Sequence, residues 1–146
     1  SKGSYYLEMA EGLEKLPEEC GAQFISLAIR LLNEVILSAR RLKLTKSQYV
    51  MFLLADMMTW CEVGEALCQK AAVYDGRERP REFMRAAARL FAGEVIEKVY
   101  LNGLKVSQGC DQMMDEVVEK LNSIDLGLAM ENHLKDMDEV TRELVK

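Results

Sequence analysis

Proline, glycine and histidine are scarce in this chain of 146 residues, and each scarcity excludes a class of protein. Two prolines and nine glycines are too few for a collagen-like chain or a Gly/Ser-rich linker. Hydrophobic residues make up 49% and charged residues 29%, which excludes a disordered polar chain. The length is that of one ordinary domain and is sufficient to bury a core without disulfides.

The single histidine, His133, excludes several catalytic centres. A ferritin-like di-iron site needs two Glu-x-x-His motifs and a helical zinc site needs His-Glu-x-x-His, and the sequence contains neither. Glycine-rich phosphate loops are also missing from it. We therefore predict no cofactor or metal in this chain, and we expect His133 to be a surface or helix-end residue.

The four cysteines, Cys20, Cys61, Cys68 and Cys110, form no CxxC motif, so a zinc or redox site is not predicted. Cys61 and Cys68 lie on one predicted helix, about 10 Å apart along its axis, which is too far for a disulfide. The sequence also shows no signal-peptide pattern. We expect a reducing, cytoplasmic location in which the cysteines act as small buried apolar residues.

Charge and hydropathy argue against two kinds of partner. The formal charge is −5, from 19 basic and 24 acidic residues, which argues against nucleic acid as a binding partner. A run of about 18 uncharged apolar residues is absent, so no transmembrane segment is expected. The chain begins with Ser1 rather than Met, and we expect it to be a fragment of a longer protein.

Helical periodicity accounts for most of the chain, and no alternating pattern of a strand occurs in the sequence. Pro17 and Pro80 predict helix starts, and Thr45 with Gln48 predicts a capping box. Ser123 predicts the cap of another short helix. The predicted segments are a leader over 1–16, helices over 17–43, 46–75, 80–108 and 111–133, and an acidic tail over 134–146.

These segments predict a single all-α domain, an antiparallel up-down four-helix bundle with short extra terminal helices. The helix over 46–75 is apolar around much of its circumference, so we expect it to be buried on more than one side. Most of the nine methionines fall within the apolar stripes and are expected to fill the core. An adaptable apolar groove for a partner helix is the alternative.

Two groups of charged residues are candidates for a functional site. Asp56 lies within an apolar run, and a buried carboxylate needs a partner, for which Arg30 and Arg89 are the candidates. We predict a buried ion pair of Asp56 with Arg89. A second candidate is an anion-binding face at a helix N-terminus, which could hold a phosphate-bearing ligand or anionic lipid, or could simply pair with the acidic tail. That face consists of Arg77, Arg79, Arg81, Arg85 and Arg89.

Two stretches resemble the C-terminal helical domain of acyl-CoA dehydrogenases. Leu54-Ala55-Asp56-Met57 is similar to a Leu-Ala-Asp-Met helix of that family. The run over 88–95, Ala-Arg-Leu-Phe-Ala-Gly-Glu-Val, followed by Glu97, is similar to the family's AKLFASEVAERV helix. The resemblance covers roughly 60 of the 146 residues.

The sequence departs from the family at the residues that carry its chemistry. The family's flavin-contacting segment has Gln where this chain has Lys105, and Gly where it has Gln108. The Tyr-Glu-Gly motif with the catalytic glutamate does not follow, and the flavin-binding N-terminal and middle domains are missing. The resemblance thus implies a non-catalytic bundle, similar to the extra C-terminal domain of the larger, very-long-chain-type subgroup.

The resemblance also implies partners. FAD would belong to the full-length parent, and the bundle would pack on the catalytic domains of the same polypeptide or complete a homo-oligomer. The alternative is a free-standing helical adaptor that binds a partner helix or a CoA-like anion.

Overall fold

The computed structural model describes residues 4–110, 112 and 114–146. Among these residues the regular elements are all helical and no strand occurs, so the predicted all-α class is confirmed. Short 3-10 turns lie at Glu18–Cys20 and Leu44–Lys46. The α-helices are α1 (Tyr5–Leu13), α2 (Ala22–Arg41), α3 (Gln48–Val73), α4 (Arg81–Gly109), α5 (Asp115–Asn122), α6 (Leu126–Ala129) and α7 (His133–Leu144).

The core lies between α2, α3 and α4. Gly64 of α3 lies against Ile25 of α2 and Val95 of α4, where an added Cβ would come 2.6 Å from Ile25 Cδ1 and 3.0 Å from Val95 Cγ2. This small residue lets the three helices meet closely. Ile25 and Val95 are fully buried, and such burial of aliphatic side chains is the main stabilising force of the bundle.

The start of α2 differs from the prediction. Pro17 precedes only the short 3-10 turn, and α2 begins after Gly21, which has φ of +75°. A Cβ on Gly21 would lie 2.8 Å from Ala92 Cβ on α4. Glycine therefore allows both the left-handed backbone and the close approach to α4. The 3-10 turn ends at this glycine, and α2 begins at the next residue.

The cap of α3 also differs from the prediction. Ser47, not Thr45, is the N-cap, and its hydroxyl accepts a hydrogen bond from the Val50 backbone N–H at 3.3 Å. The residues before it form a separate 3-10 turn, introduced by Lys43 at φ of +61°. By contrast, α4 begins at Arg81, directly after Pro80.

The predicted fourth helix over 111–133 is not continuous. In the described part of this range the chain forms α5, then α6, and reaches the first residue of α7 at His133. Ser123 ends α5 rather than capping a new helix, and Asp125 caps α6 by accepting from the Leu128 backbone N–H at 3.1 Å. The predicted acidic tail is the helix α7, which packs against α4.

Among the residues that the structure describes, one helix, α2, has the length and hydropathy of a membrane span. It is also the central helix of the bundle, contacting α1, α3, α4 and α5, and 67% of its most apolar window is buried inside the structure. Core helices of soluble proteins share these properties, so the observation is weak evidence of a membrane segment.

Candidate interaction surface

Arg89 links three separate parts of the chain. Its guanidinium donates to both carboxylate oxygens of Asp136 on α7, at 2.9 and 3.1 Å, and to Glu82, about two turns earlier on α4, at 2.5 Å. It also donates to the backbone carbonyl of Glu19 at 2.8 Å. The hydrogen bonds with Asp136 are the main reason that the pKa of Arg89 is raised above its ordinary value. The Arg89 charge is thus matched within the protein.

A cleft of about 530 Å³ opens beside Arg89, between the turn at Glu18–Cys20 and the start of α7. Its lining carries five carboxylates and two cationic side chains, Arg89 and Lys135. The five are Glu18, Glu19, Glu82, Glu131 and Asp136. An excess of negative charge repels anions, so this cleft is poorly suited to a phosphate or a CoA-like ligand.

The other arginines of the predicted anion-binding face point in different directions. Arg77 pairs with Asp75 at 3.1 Å, and Arg81 donates to the Tyr74 carbonyl at 3.1 Å. Arg79 donates to the Glu143 carbonyl at 2.7 Å. Only Arg85 Nε is a buried atom that finds no hydrogen-bond partner among the described residues.

The five arginines therefore do not present one shared face. Arg79 and Arg89 bond to α7. Arg77 and Arg81 bond to the end of α3 and to the loop that follows it. Of the alternatives that the sequence left open, contact with the acidic tail is the one that Arg79 and Arg89 make, through Glu143 and Asp136. Anion binding by the set stays a prediction.

The predicted pair of Asp56 with Arg89 is not formed. Asp56 instead accepts a hydrogen bond from Asn102 Nδ2 at 2.8 Å, and Arg30 pairs with Glu14 at 2.8 Å. The physical reason is distance, since Arg89 and Asn102 are 13 residues apart on α4, which is about 20 Å along a helix. Asp56 faces one end of α4 and Arg89 the other.

Three of the four cysteines are buried, as expected, and Cys110 is partly exposed. Burial raises the pKa of the Cys61 thiol and raises that of Cys68 to about 12. His133 is the first residue of α7, a helix end as predicted, and its ring lies near Gly93 of α4. Within the described ranges, no group of three His, Cys, Asp or Glu side chains is arranged to hold a metal ion.

The largest departure from expectation is on α3. One side of this helix faces solvent with uncharged residues, although the sequence predicted burial on more than one side. Phe52 is 75% exposed and Val63 50% exposed. We call this surface the outer face of α3; it consists of Phe52, Ala55, Thr59, Val63 and Ala66, all of them exposed.

The two edges of the outer face are closed by hydrogen bonds to neighbouring helices. On one edge, Glu62 accepts from the hydroxyls of Tyr5 and Tyr6 on α1, at 3.2 and 3.1 Å. On the other, Asp56 accepts from Asn102 on α4. The outer face is thus an apolar strip between two carboxylates that already have partners within the chain.

Comparisons of the chain with protein-family models, with curated proteins and with solved structures find no match. The resemblance to acyl-CoA dehydrogenases therefore depends on the motifs in α3 and α4 alone.

Sequence reasoning did not single out the outer face of α3 as a surface. The sequence of α3 is nearly uniformly hydrophobic around the helix, and this pattern indicates a helix that is covered on all sides. In the structure α2 and α4 cover one side of the helix, α1 contacts one edge, and the outer face is exposed.

Proposed function

We propose that the chain is a non-catalytic helical packing domain, the C-terminal bundle of an acyl-CoA dehydrogenase-like flavoprotein with a structural or oligomerisation role. The observation that carries the proposal is the exposed outer face of α3. It places two large apolar side chains, Phe52 and Val63, in solvent with small residues between them, and exposed apolar surface is typical of regions that pack against protein.

The arrangement of the two motif-bearing helices supports the family part of the proposal. α3 carries Leu54-Ala55-Asp56-Met57 and α4 carries the alanine-rich run, and these helices pack directly against each other. Trp60 of α3 stacks on Phe91 of α4 with ring centroids 5.5 Å apart. The motifs that suggest the family thus lie at one helix–helix contact.

The electrostatics of the cleft beside Arg89 support the non-catalytic part. Its arginine is neutralised by two carboxylates and a backbone carbonyl, so it offers little to a CoA phosphate. The other candidate acid, Asp56, is hydrogen-bonded to an amide at the edge of the outer face.

The first experiment measures flavin chemistry directly. Purified chain is incubated with FAD, separated from free flavin, and assayed for dye reduction with acyl-CoA substrates. We expect no retained flavin absorbance and no reduction above a buffer control. Retained flavin together with acyl-CoA-dependent reduction would overturn the proposal.

The second experiment tests the parent protein. The gene is sequenced upstream of the codon for Ser1, and the frame is followed to its start codon. We expect an open frame that encodes a flavin-binding helical domain and a middle β-domain. A start codon immediately before Ser1 would contradict the family assignment.

A further inference from the structure

We propose that a pocket between α1, α2 and α3 binds a small hydroxylated carboxylate. Such a ligand has a carboxylate at one end, a hydroxyl at the other, and an apolar body about the size of a benzene ring between them. A ligand site of this kind goes beyond the proposed packing role and does not depend on it. The residues that carry the proposal are one amide and one arginine with no partners among the described residues, together with the apolar walls between them.

The pocket has a volume of about 190 Å³. Tyr5 and Tyr6 line it from α1, Met58 from α3, and the remaining lining residues, Ile36 and Leu37 among them, come from α2. The two tyrosine rings meet edge to face with their centroids 4.9 Å apart. An apolar cavity of about 150 Å³ is large enough to hold one benzene molecule. This pocket therefore has room for a ring of that size with short polar substituents.

The amide of Asn33 is the most buried polar group of the pocket. Asn33 is only 5% exposed, and its side chain makes no hydrogen bond to any residue that the structure describes. Unlike Arg85 Nε, which the protein encloses, the Asn33 amide is open to the pocket. Most buried polar groups have a hydrogen-bond partner. A hydroxyl group suits this amide, because each of them can both donate and accept.

Arg40 supplies the positive charge that a carboxylate needs. Its side chain is exposed, lines the pocket, and forms no ion pair within the described ranges. Asn33 and Arg40 are seven residues apart on α2, which is two turns and about 10 Å along the helix axis. Because side chains on a helix lean towards its N-terminus, Arg40 leans towards Asn33, which shortens the gap that a ligand has to span.

The charge of the pocket favours an anion. Of the described residues that line it, Arg40 alone is charged. The carboxylate of Glu62 is not part of the lining, and it accepts from the hydroxyls of Tyr5 and Tyr6 at 3.2 and 3.1 Å. Both hydroxyls are thus bonded within the chain, and the tyrosine rings remain as walls. The cleft beside Arg89, with its five carboxylates, has the opposite character.

The first test measures binding of 4-hydroxyphenylacetate to the purified chain by NMR of its methionine methyl groups. A ligand of this size is expected to bind with a Kd of about 0.1–1 mM. The Met58 methyl signal should shift in a saturable way as the ligand is added. Met51 is the internal control, because it lies on the same helix outside the pocket lining, and its signal should not shift.

The second test removes the charge. Arg40→Gln should weaken binding of 4-hydroxyphenylacetate about fivefold or more, because charge-assisted hydrogen bonds are lost. Arg41→Gln is the matched control and should leave the Kd unchanged. Arg41 is the next residue and is also exposed, but it pairs with Glu116 at 3.4 Å and does not line the pocket. The neutral 4-hydroxyphenylacetamide should bind the wild-type chain as weakly as 4-hydroxyphenylacetate binds Arg40→Gln.

The third test removes the hydroxyl of the ligand. Phenylacetate should bind the wild-type chain about threefold more weakly than 4-hydroxyphenylacetate, because the hydrogen bond to Asn33 is lost. In Asn33→Leu the two ligands should bind equally. Circular dichroism shows whether each variant is folded. The comparison of the two ligands on the wild-type chain decides the role of the hydroxyl even where Asn33→Leu does not fold.

Four results would overturn the inference. They are a lack of saturable binding up to about 10 mM 4-hydroxyphenylacetate, equal shifts at Met51 and Met58, equal effects of Arg40→Gln and Arg41→Gln, and equal binding of the two ligands by the wild-type chain. None of these results depends on flavin binding, acyl-CoA reduction or the upstream gene sequence. Failure of the pocket and failure of the proposed function are therefore distinguishable.

Discussion

The central helices of this bundle and its last helix, α7, are attached in different ways. α2, α3 and α4 meet through fully buried aliphatic residues such as Ile29, Met57 and Ile96. α7 is attached largely through charges, since Asp136 accepts from Arg89 of α4. α1 combines both, because Ala10 and Leu13 are fully buried and Glu14, directly after the helix, accepts from Arg30 and Ser26 of α2.

The difference is most marked between α3 and α7. α7 buries two carboxylates, with Asp136 only 4% exposed, and presents Leu134, Met137 and Leu144 to solvent. α3 buries its apolar side and also exposes apolar residues. The contrast teaches that α7 is positioned by specific partners and α3 by burial, so the two helices should respond differently to substitution.

The largest effect is expected in the centre. Met57→Ala removes a fully buried side chain and should lower the free energy of unfolding by about 2–5 kcal/mol, because a cavity is left. Urea denaturation followed by circular dichroism measures this change. Met51→Ala on the exposed side of the same helix is the control and should change stability by less than about 0.5 kcal/mol. Equal effects of the two would contradict the central role of burial.

A smaller, local effect is expected at α7. Asp136→Asn removes one of the two carboxylate charges that face Arg89, which should cost about 1–3 kcal/mol because a partly buried cation then has Glu82 as its only carboxylate partner among the described residues. Amide hydrogen exchange should accelerate within His133–Leu144 and change little in α3. Asp138→Asn, at an exposed position of the same helix, serves as the comparison. Uniform acceleration throughout the chain would argue against separate attachment of α7.

Acid should loosen α1. The guanidinium of Arg30 and the hydroxyl of Ser26 lower the pKa of Glu14 from 4.5 to about 2. A lowered carboxyl pKa stabilises the fold above the unfolded value, and this contribution is lost as the pH falls from about 4.5 through about 2. It should be below about 1 kcal/mol, because the carboxylate is partly exposed.

Glu14→Gln should remove this acid-dependent step. Hydrogen exchange of α1 between pH 2 and 5 is the measurement, and Glu8→Gln in the same helix is the control. Persistence of the step in Glu14→Gln would assign it to another group.

The smallest effect is expected on the exposed apolar residues of α7. Leu134→Ser combined with Leu144→Ser should change the free energy of unfolding by less than about 0.5 kcal/mol, because neither side chain is in the core. Thermal unfolding monitors the change. A loss of more than 1 kcal/mol would mean that this side of α7 is covered in solution.

The positions of the three long helices could be predicted from the sequence, because their apolar periodicity is strong and Pro80 marks the start of α4. The start of α2 could not, since it depends on how closely Gly21 approaches Ala92 across the bundle. The cap at Ser47 was assigned to Thr45, because both hydroxyls lie within the same short polar segment and only the three-dimensional turn separates them.

The candidate site was predicted less well, for a related reason. The sequence indicated that Asp56 needs a partner and offered Arg30 and Arg89, but it did not show which end of α4 Asp56 faces. The hydrophobicity of α3 indicated that the helix is buried on all sides. No local sequence pattern distinguishes a helix that is buried by its own chain from one that is buried by another chain.

The partners of Arg89 also constrain the order in which its hydrogen bonds can form while the chain is synthesised. Its partners come from Glu19, Glu82 and Asp136, so they are translated at very different times. The contact between Arg89 and Asp136 therefore cannot form on the ribosome before residue 136 has been synthesised. Removal of α7 would leave the Glu82 carboxylate and the Glu19 carbonyl as the remaining partners that Arg89 has in this fold.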